Sequence, residues 1–377
     1  MEIELIVWLI RIALTLSLLY LLLIWSYTVG WHMLSRSMPH DNKVLHSLSV
    51  SVIVAFRDEE HQLETLLQHL HRQDFDSSKT EILLINDHSK DASAAIAEDF
   101  IARFPDMNIK LLHAETQGKK GAIKKGISNA SNSLLLFTDA DCRPGPSWIS
   151  VMVRHMERVP HTMAIGPVML HPVKGILGRM QGLEHLSLMA STAGAAGLGM
   201  AVMSNGANVI VRREAIDSFH PDVLRDDVAS GDDVFMMLHL AGRFGRRSIG
   251  FVRHTKAIVP TRAADTLKEF FRQRSRWVSK SRIYSDPLII VPALVVALFN
   301  IILAFMLLLA LFYPALIGVF LLMMVMKTMA DYPLLLAGAR FTQRTNWLMY
   351  VLPVQLLYPF YVLISVVLGF VRPVRWK

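Results

Sequence analysis

Two long apolar blocks bracket a middle region in which short apolar runs alternate with amphipathic stretches. Residues 49–55 (SVSVIVA) are compact, apolar and rich in β-branched side chains, which predicts a buried strand. Residues 59–71 (EEHQLETLLQHLH) then put Leu63, Leu66, Leu67 and Leu70 on one face of a helix. The alternation continues through a strand at 81–86 (EILLIN), a helix over 91–103, a strand at 108–112 (NIKLL), a helix over 119–129 and a strand at 133–138 (SLLLFT). Four β-α repeats in succession predict a parallel, doubly wound α/β sheet of the Rossmann-like kind. Ligands of such sheets bind beyond the carboxyl ends of the strands.

The flanking blocks follow a different rule. Residues 5–29 are apolar apart from Arg11 and a few hydroxyls, a length that suits a helix crossing a bilayer. A cleaved leader would have a basic start, a shorter apolar core and a small-residue cleavage site. This segment instead starts on Glu2 and Glu4 and runs into Trp25, Tyr27 and Trp31, so residues 1–31 are expected to be a transmembrane anchor. Apolar runs return at 287–311, 312–330 and 346–370, predicting about three further helices within 287–377. Lys327 and Asp331 shorten the second run, because charges are costly in lipid unless they lie near an interface or pair with each other. Arg340 and Arg344 favour the cytoplasm, as do Arg372, Arg375 and Lys377, yet three full spans would separate the two clusters. Either one segment is re-entrant, aided by Pro353 and Pro359, or the positive-inside rule is broken. The stretch 190–201 (ASTAGAAGLGMA) is too short and glycine-rich for a span and is expected to be a flexible, close-packed segment near the membrane.

Composition sharpens this division. A mean hydropathy of +0.37 exceeds that of an ordinary soluble enzyme, and the net charge of +8 suits anionic lipid or a phosphate-bearing substrate. The basic residues do not interleave with aromatics as they do in nucleic-acid modules, so no nucleic-acid partner is expected. With Cys142 alone, neither an internal disulfide nor a thiolate zinc cage can form, and a buried packing role is expected for it.

Candidate chemistry gathers at the strand ends. The first strand leads into Ala55-Phe56-Arg57-Asp58-Glu59, the second into Asn86-Asp87-His88-Ser89 and the fourth into Asp139-Ala140-Asp141. Asp58, Asp87 or Ser89 could each serve only as a helix cap. Asp139 and Asp141 are harder to place that way, since two carboxylates leaving one strand together call for a neutralising cation. Mg²⁺ or Mn²⁺, bridging carboxylates to substrate phosphates, would supply it. A dehalogenase-type phosphatase also carries D-x-D, but it needs a hydroxyl where Arg143 stands and places the motif after its first β-α unit. Further on come Gly231-Asp232-Asp233-Val234-Phe235 and a helical Q-x-x-R-W, in which Gln273, Arg276 and Trp277 share a face. Arg can grip a diphosphate, Gln adds a hydrogen bond, and Trp offers a stacking surface for a sugar. The same helix also fits an amphipathic surface element with Arg272, Arg274 and Arg282 among lipid headgroups.

With these four parts in this order (NDHSKD, FTDADC, GDDVF and QRSRW), the chain resembles the membrane-bound family 2 glycosyltransferases, which include cellulose, chitin, hyaluronan and poly-N-acetylglucosamine synthases. The resemblance spans roughly Val50 to Trp277 and the flanking helices. It implies a GT-A domain over 46–283 on the cytoplasmic face of the inner membrane, ending in an interfacial helix. It also implies a nucleotide-diphosphate sugar donor, a divalent metal, a glycan or lipid-linked acceptor, inversion at the anomeric carbon, and room for further membrane subunits. By motif, Asp87 would contact the nucleotide with Ala55, Arg57 and Glu59 beside it. Lys119 would approach the diphosphate or base, and Asp139 and Asp141 would hold the metal, Asp141 more directly. Asp233 would act as general base beside Asp232, and Gln273, Arg276 and Trp277 would serve the acceptor and diphosphate. Asp232 replaces the family's usual Glu, and Asn86 a common Asp. Processive synthesis, single addition to a lipid acceptor, and an inactive membrane scaffold or sensor remain open as readings.

Overall fold

Helix α1 (Glu2–Met33) precedes the sheet-forming region, whose first half runs β1 (Val50–Phe56), α2 (Leu63–His71), β2 (Thr80–Asn86), α3 (Ser93–Arg103), β3 (Ile109–His113), α4 (Lys119–Asn129), β4 (Leu134–Asp139) and α5 (Trp148–Arg158). After β5 (Met163–Ile165) and β6 (Val168–Leu170) the chain forms α6 (Gly175–Gly197), then β7 (Val209–Arg212), α7 (Arg213–Ile216), α8 (Asp232–Phe244), β8 (Ile249–Phe251) and β9 (Val259–Thr261). It ends in α9 (Leu267–Lys280), α10 (Pro287–Ala310), α11 (Ile317–Phe341) and α12 (Val351–Val371). This computed structural model describes residues 2–34, 47–171, 173–216, 224–225, 231–280 and 283–371. Arg282 and the cluster Arg372, Arg375 and Lys377 lie outside them. Two compact units result: residues 34–172 with 199–262, built around the sheet, and residues 1–33, 173–198 and 263–374, built of helices.

In the sheet unit the strand order is β3-β2-β1-β4-β7-β5-β8, with β6 and β9 paired separately. The first four strands are parallel, as the β-α alternation predicts. β7 runs antiparallel to both β4 and β5, so the sheet is mixed rather than wholly parallel. The apolar run of β7 (VIVR) is as buried as any other, and burial alone carries no information about strand direction. Register sets the ligand edge: Ala55 lies level with Ile85 on one side and Asp139 on the other. Leu63, Leu66, Leu67 and Leu70 of α2 are all buried with Phe100 of α3 against the sheet. On the opposite helix α4, a Cβ at Gly126 would lie 2.6 Å from Ile53 Cγ2, so glycine permits this close approach to β1. A fully buried Asn208 accepts from Trp148 Nε1 at 2.9 Å and donates to the carbonyls of Pro167 (2.9 Å) and Ala257 (2.8 Å). This network ties α5 to the loops beneath the ligand edge without leaving the amide unsatisfied.

In the helical unit, α1, α10, the segment Pro314–Phe341 around α11 and the segment Thr345–Gly369 around α12 are long and apolar enough to cross a membrane. The second C-terminal run does not stop at 330: α11 extends to Phe341 with Lys327 and Asp331 inside it. Lys327 Nζ donates to Asp331 Oδ2 at 2.7 Å, and Tyr20 and Gln355 donate to the same carboxylate at 2.6 and 3.0 Å. The pairing alternative therefore holds, since one helical turn and two neighbouring helices neutralise what a lipid-facing charge could not. α12 is a continuous helix through Pro359. The small-residue stretch at 190–197 is helical too, as the second half of α6. A Cβ at Gly194 would fall 2.2 Å from Tyr27 O, and one at Gly30 would fall 2.0 Å from Gly194 O. Missing side chains thus allow backbone contact between α6 and α1, the packing mode of small residues in membrane helices.

Candidate active site

The mouth of the sheet is assembled from loops that are tied to one another. After β1, Asp58 adopts a positive φ of 53°, and after β2, His88 does so at 56°. Asp58 Oδ1 accepts from Lys90 N at 2.8 Å, while Ser89 Oγ and Ser93 Oγ accept from the N–H groups of Asp58 (3.1 Å) and Glu59 (2.8 Å). Asp58 and Ser89 therefore tie the two loops together instead of capping their own helices. Asp87 is fully buried, and its Oδ1 accepts from Gly118 N at 2.8 Å, which fixes the start of α4. Among the described residues its Oδ2 accepts no hydrogen bond, and it lies 4.0 Å from Arg57 Nη1. With the Gln117 amide oxygen turned toward Arg57, it accepts from Nη1 and Nη2 at 2.9 Å each. Ala55, Arg57, Glu59 and Asp87 thus form one wall of the mouth.

Lys119, the first residue of α4, donates from Nζ to Asp139 Oδ1 at 2.5 Å. Burial alone would lower the pKa of this ammonium, but the charges of Asp139, Asp232 and Asp233 outweigh it and hold the group well above the ordinary lysine range. The convergence is visible at Gly206, where a Cβ would meet Asp233 Cβ at 3.6 Å, Lys119 Nζ at 3.7 Å and Asp232 Oδ2 at 3.8 Å. Asp232 and Asp233 open α8 behind Gly231, whose φ is 92°. Asp233 Oδ2 accepts from Gly206 N and Oδ1 from Val234 N, both at 2.9 Å. Both carboxylates sit where the helix dipole favours negative charge.

Asp141, like Asp139, is half-buried. Its Oδ2 accepts from Thr261 Oγ1 at 2.9 Å. Burial first, and the charge of Asp139 second, push its carboxyl above the usual range, against the opposing pull of Thr261, the Arg262 N–H and Lys119. Among the described residues no cluster of three or more His, Cys, Asp or Glu side chains forms a cation cage. A pair of strand-exit carboxylates, one of them also bonded to Lys119, fits Mg²⁺ or Mn²⁺ held jointly with water and substrate phosphate oxygens. Cys142 is buried, and burial raises its thiol, consistent with packing.

Gln273, Arg276 and Trp277 belong to α9 and so to the helical unit. Arg274, placed among lipid headgroups by the sequence pattern, is instead buried on Glu184 of α6. Its guanidinium carbon lies 4.2 Å from the centroid of the Trp277 ring, covering one face of the indole. Sequence reasoning missed Thr261, Gly206, Gln117 and Glu184. Each acts on a partner distant in sequence or through its backbone, and none carries a local pattern.

Residues 51–218 match the family model described as glycosyl transferase family 2. The chain is similar to glycosyltransferase AglE of Haloferax volcanii, with 32% identity over 26% of this chain and 33% of that protein. It is also similar to poly-β-1,6-N-acetyl-D-glucosamine synthase of Staphylococcus aureus, with 28% identity over 53% of this chain and 47% of that one. The chain therefore spans a third to about half the length of these curated relatives. Among solved structures, the mannosyltransferase PcManGT of Pyrobaculum calidifontis, in complex with GDP-Man and Mn²⁺, superposes with a TM-score of 0.59 at 17% identity. That superposition covers 96% of this chain and 99% of that one, and shows a shared fold. The level strand ends and the shared fold identify the sheet unit as an α/β domain of the GT-A kind, within which residues 51–218 match the glycosyl transferase family 2 model.

Proposed function

We propose that the chain is an integral-membrane, inverting glycosyltransferase. In this reading it moves a sugar from a nucleotide-diphosphate sugar, UDP-linked in the first instance, to a membrane-proximal polysaccharide or lipid-linked acceptor. The catalytic domain would face the cytoplasm. The observation that carries this reading is the convergence of Lys119, Asp139, Asp232 and Asp233 at the carboxyl edge of the sheet.

Asp233 is the proposed general base. Two backbone N–H groups orient its carboxylate, so it can take the proton of an acceptor hydroxyl as the new C–O bond forms. Negative charge then builds on the departing nucleoside diphosphate. Lys119, at the N-terminus of α4, is poised to leave Asp139 for that charge and stabilise it where it develops. Asp139 and Asp141 would hold Mg²⁺ or Mn²⁺, which supplies further charge neutralisation on the diphosphate. Arg57 and Asp87, whose Oδ2 lies 4.0 Å from Arg57 Nη1, are assigned to the nucleoside. Gln273, Arg276 and Trp277 are assigned to the acceptor and diphosphate by their motif.

Purified protein in detergent, offered a panel of radiolabelled sugar nucleotides with Mg²⁺ or Mn²⁺, is expected to transfer label from one donor class. Asp233→Asn should lower kcat at least about 100-fold, the scale of lost general-base catalysis, while the protein stays folded. Wild-type transfer by that variant would remove Asp233 from the role. A single-addition enzyme acting on a lipid acceptor is the second reading, favoured by the four candidate spans. A ladder of products supports the synthase and one discrete product the single addition.

A further inference from the structure

Arg274 is a buried charge on the Q-x-x-R-W helix α9 and lies outside the motif positions themselves. Arg274 Nε donates to both oxygens of Glu184 at 3.1 Å, and Nη2 donates to Oε2 at 2.5 Å. Tyr361 of α12 donates its hydroxyl hydrogen to Glu184 Oε1 at 2.5 Å. The remaining arm, Nη1, donates to Gln273 Oε1 at 2.5 Å. The flat guanidinium also stacks on two rings, 4.6 Å from the centroid of Phe270 and 4.2 Å from that of Trp277. One side chain therefore touches both Gln273 and Trp277, and a carboxylate from another helix fixes that side chain.

We propose that Glu184 is a positioning residue: acting through the fork of Arg274, it sets the amide of Gln273 and the indole of Trp277 in the geometry the reaction uses. This inference rests on the transferase reading for what Gln273 and Trp277 do, but the clamp itself stands on the contacts above. A buried ion pair is a poor way to gain stability alone, because apolar side chains of similar size serve as well. What the pair adds is direction. The carboxylate holds the Nε and Nη2 arms of the guanidinium, leaving the Nη1 arm and the flat face to the motif residues. Lysine at 274 would keep the charge but lose the fork and the planar stack.

The experiment compares full-length wild type, Glu184→Gln and Arg274→Lys in detergent. It measures thermal stability, kcat, KM for the sugar nucleotide, and acrylamide quenching of Trp277, read as the difference between each protein and its Trp277→Phe version. The clamp predicts at least a tenfold fall in kcat with the donor KM unchanged, and at least a twofold rise in Trp277 quenching. In Arg274→Lys these changes should come without loss of thermal stability. Folded variants with wild-type kcat and unchanged quenching would overturn the proposal, as would activity lost only in proportion to folded protein. If wild type transfers no sugar from any donor, the transferase reading fails, and the quenching series still decides whether Glu184 orients Trp277.

Discussion

Thr261 and Asp141 stand 120 positions apart, yet one hydroxyl aims the carboxylate that the D-x-D motif provides. Replacing the hydroxyl with a methyl leaves the shape of the site and removes only that hydrogen bond. Thr261→Val is expected to weaken Mn²⁺ binding to the donor-loaded protein by about 10-fold or more, as loss of a partner that orients a ligand typically does. Calorimetric titration with Mn²⁺ checks it, and an unaltered affinity would mean that Asp141 needs no such support. Asp87, Asp139 and Asp141 were legible as candidates because acidic residues at strand exits stand out against apolar runs, and Asp233 because it sits in the G-D-D-V-F motif. Thr261 and Gly206 were not: a threonine on a short strand and a glycine in a loop look like neutral filling. Arg274 was legible as a charge but misplaced, because a charge pattern on α9 cannot reveal a counter-charge on α6.

For elements, the boundaries of β1, β2, β3 and β4 follow from the apolar runs within a residue or two, and α2 follows from leucine spacing. α6 escaped because its contact face is made of glycine and alanine, whose hydrophobic signal is weak, and because its packing uses backbone instead of side chains. α11 was cut short because two charges in an apolar run look prohibitive when Tyr20, some three hundred positions earlier, is left out. The glycine crossing is strict. Gly194→Leu would drive a side chain into the backbone of α1 at Tyr27, and overpacking of this kind costs about 1–3 kcal/mol. A lowered thermal midpoint in detergent is expected, with Ser187→Ala, on the same helix and bonded within it to the Glu184 carbonyl, as the unaffected control. Equal midpoints would show that the two helices can separate at no cost.

At the level of the whole molecule, acid sensitivity has an identifiable source in the sheet unit. Burial first, then the charge of His161, lowers His155 to about 4, and its Nε2 sits 3.0 Å from His161 Nδ1. His161 is itself held down by burial and by Arg212. Above the ordinary histidine value of 6.5 both folded and unfolded chains are neutral at His155, and its contribution to stability is complete. As pH falls from 6.5 toward 4 only the unfolded chain gains the proton, so stability declines by up to about 3 kcal/mol and levels off below 4. Urea midpoints of the full chain measured from pH 7.5 to 4 should fall more steeply in wild type than in His155→Gln; parallel curves would acquit the pair. The passage of the chain between its two units has a practical consequence of another kind. Residues 173–198 leave the sheet unit for the helical one and the chain then returns to complete β7, β8 and β9. During synthesis, the ribosome must therefore deliver α6 before the sheet can be finished. A fragment trimmed to residues 34–286, between α1 and α10, would still carry α6, stripped of the α1 surface that covers Gly194. Such a piece is expected to precipitate when expressed without the helices around it.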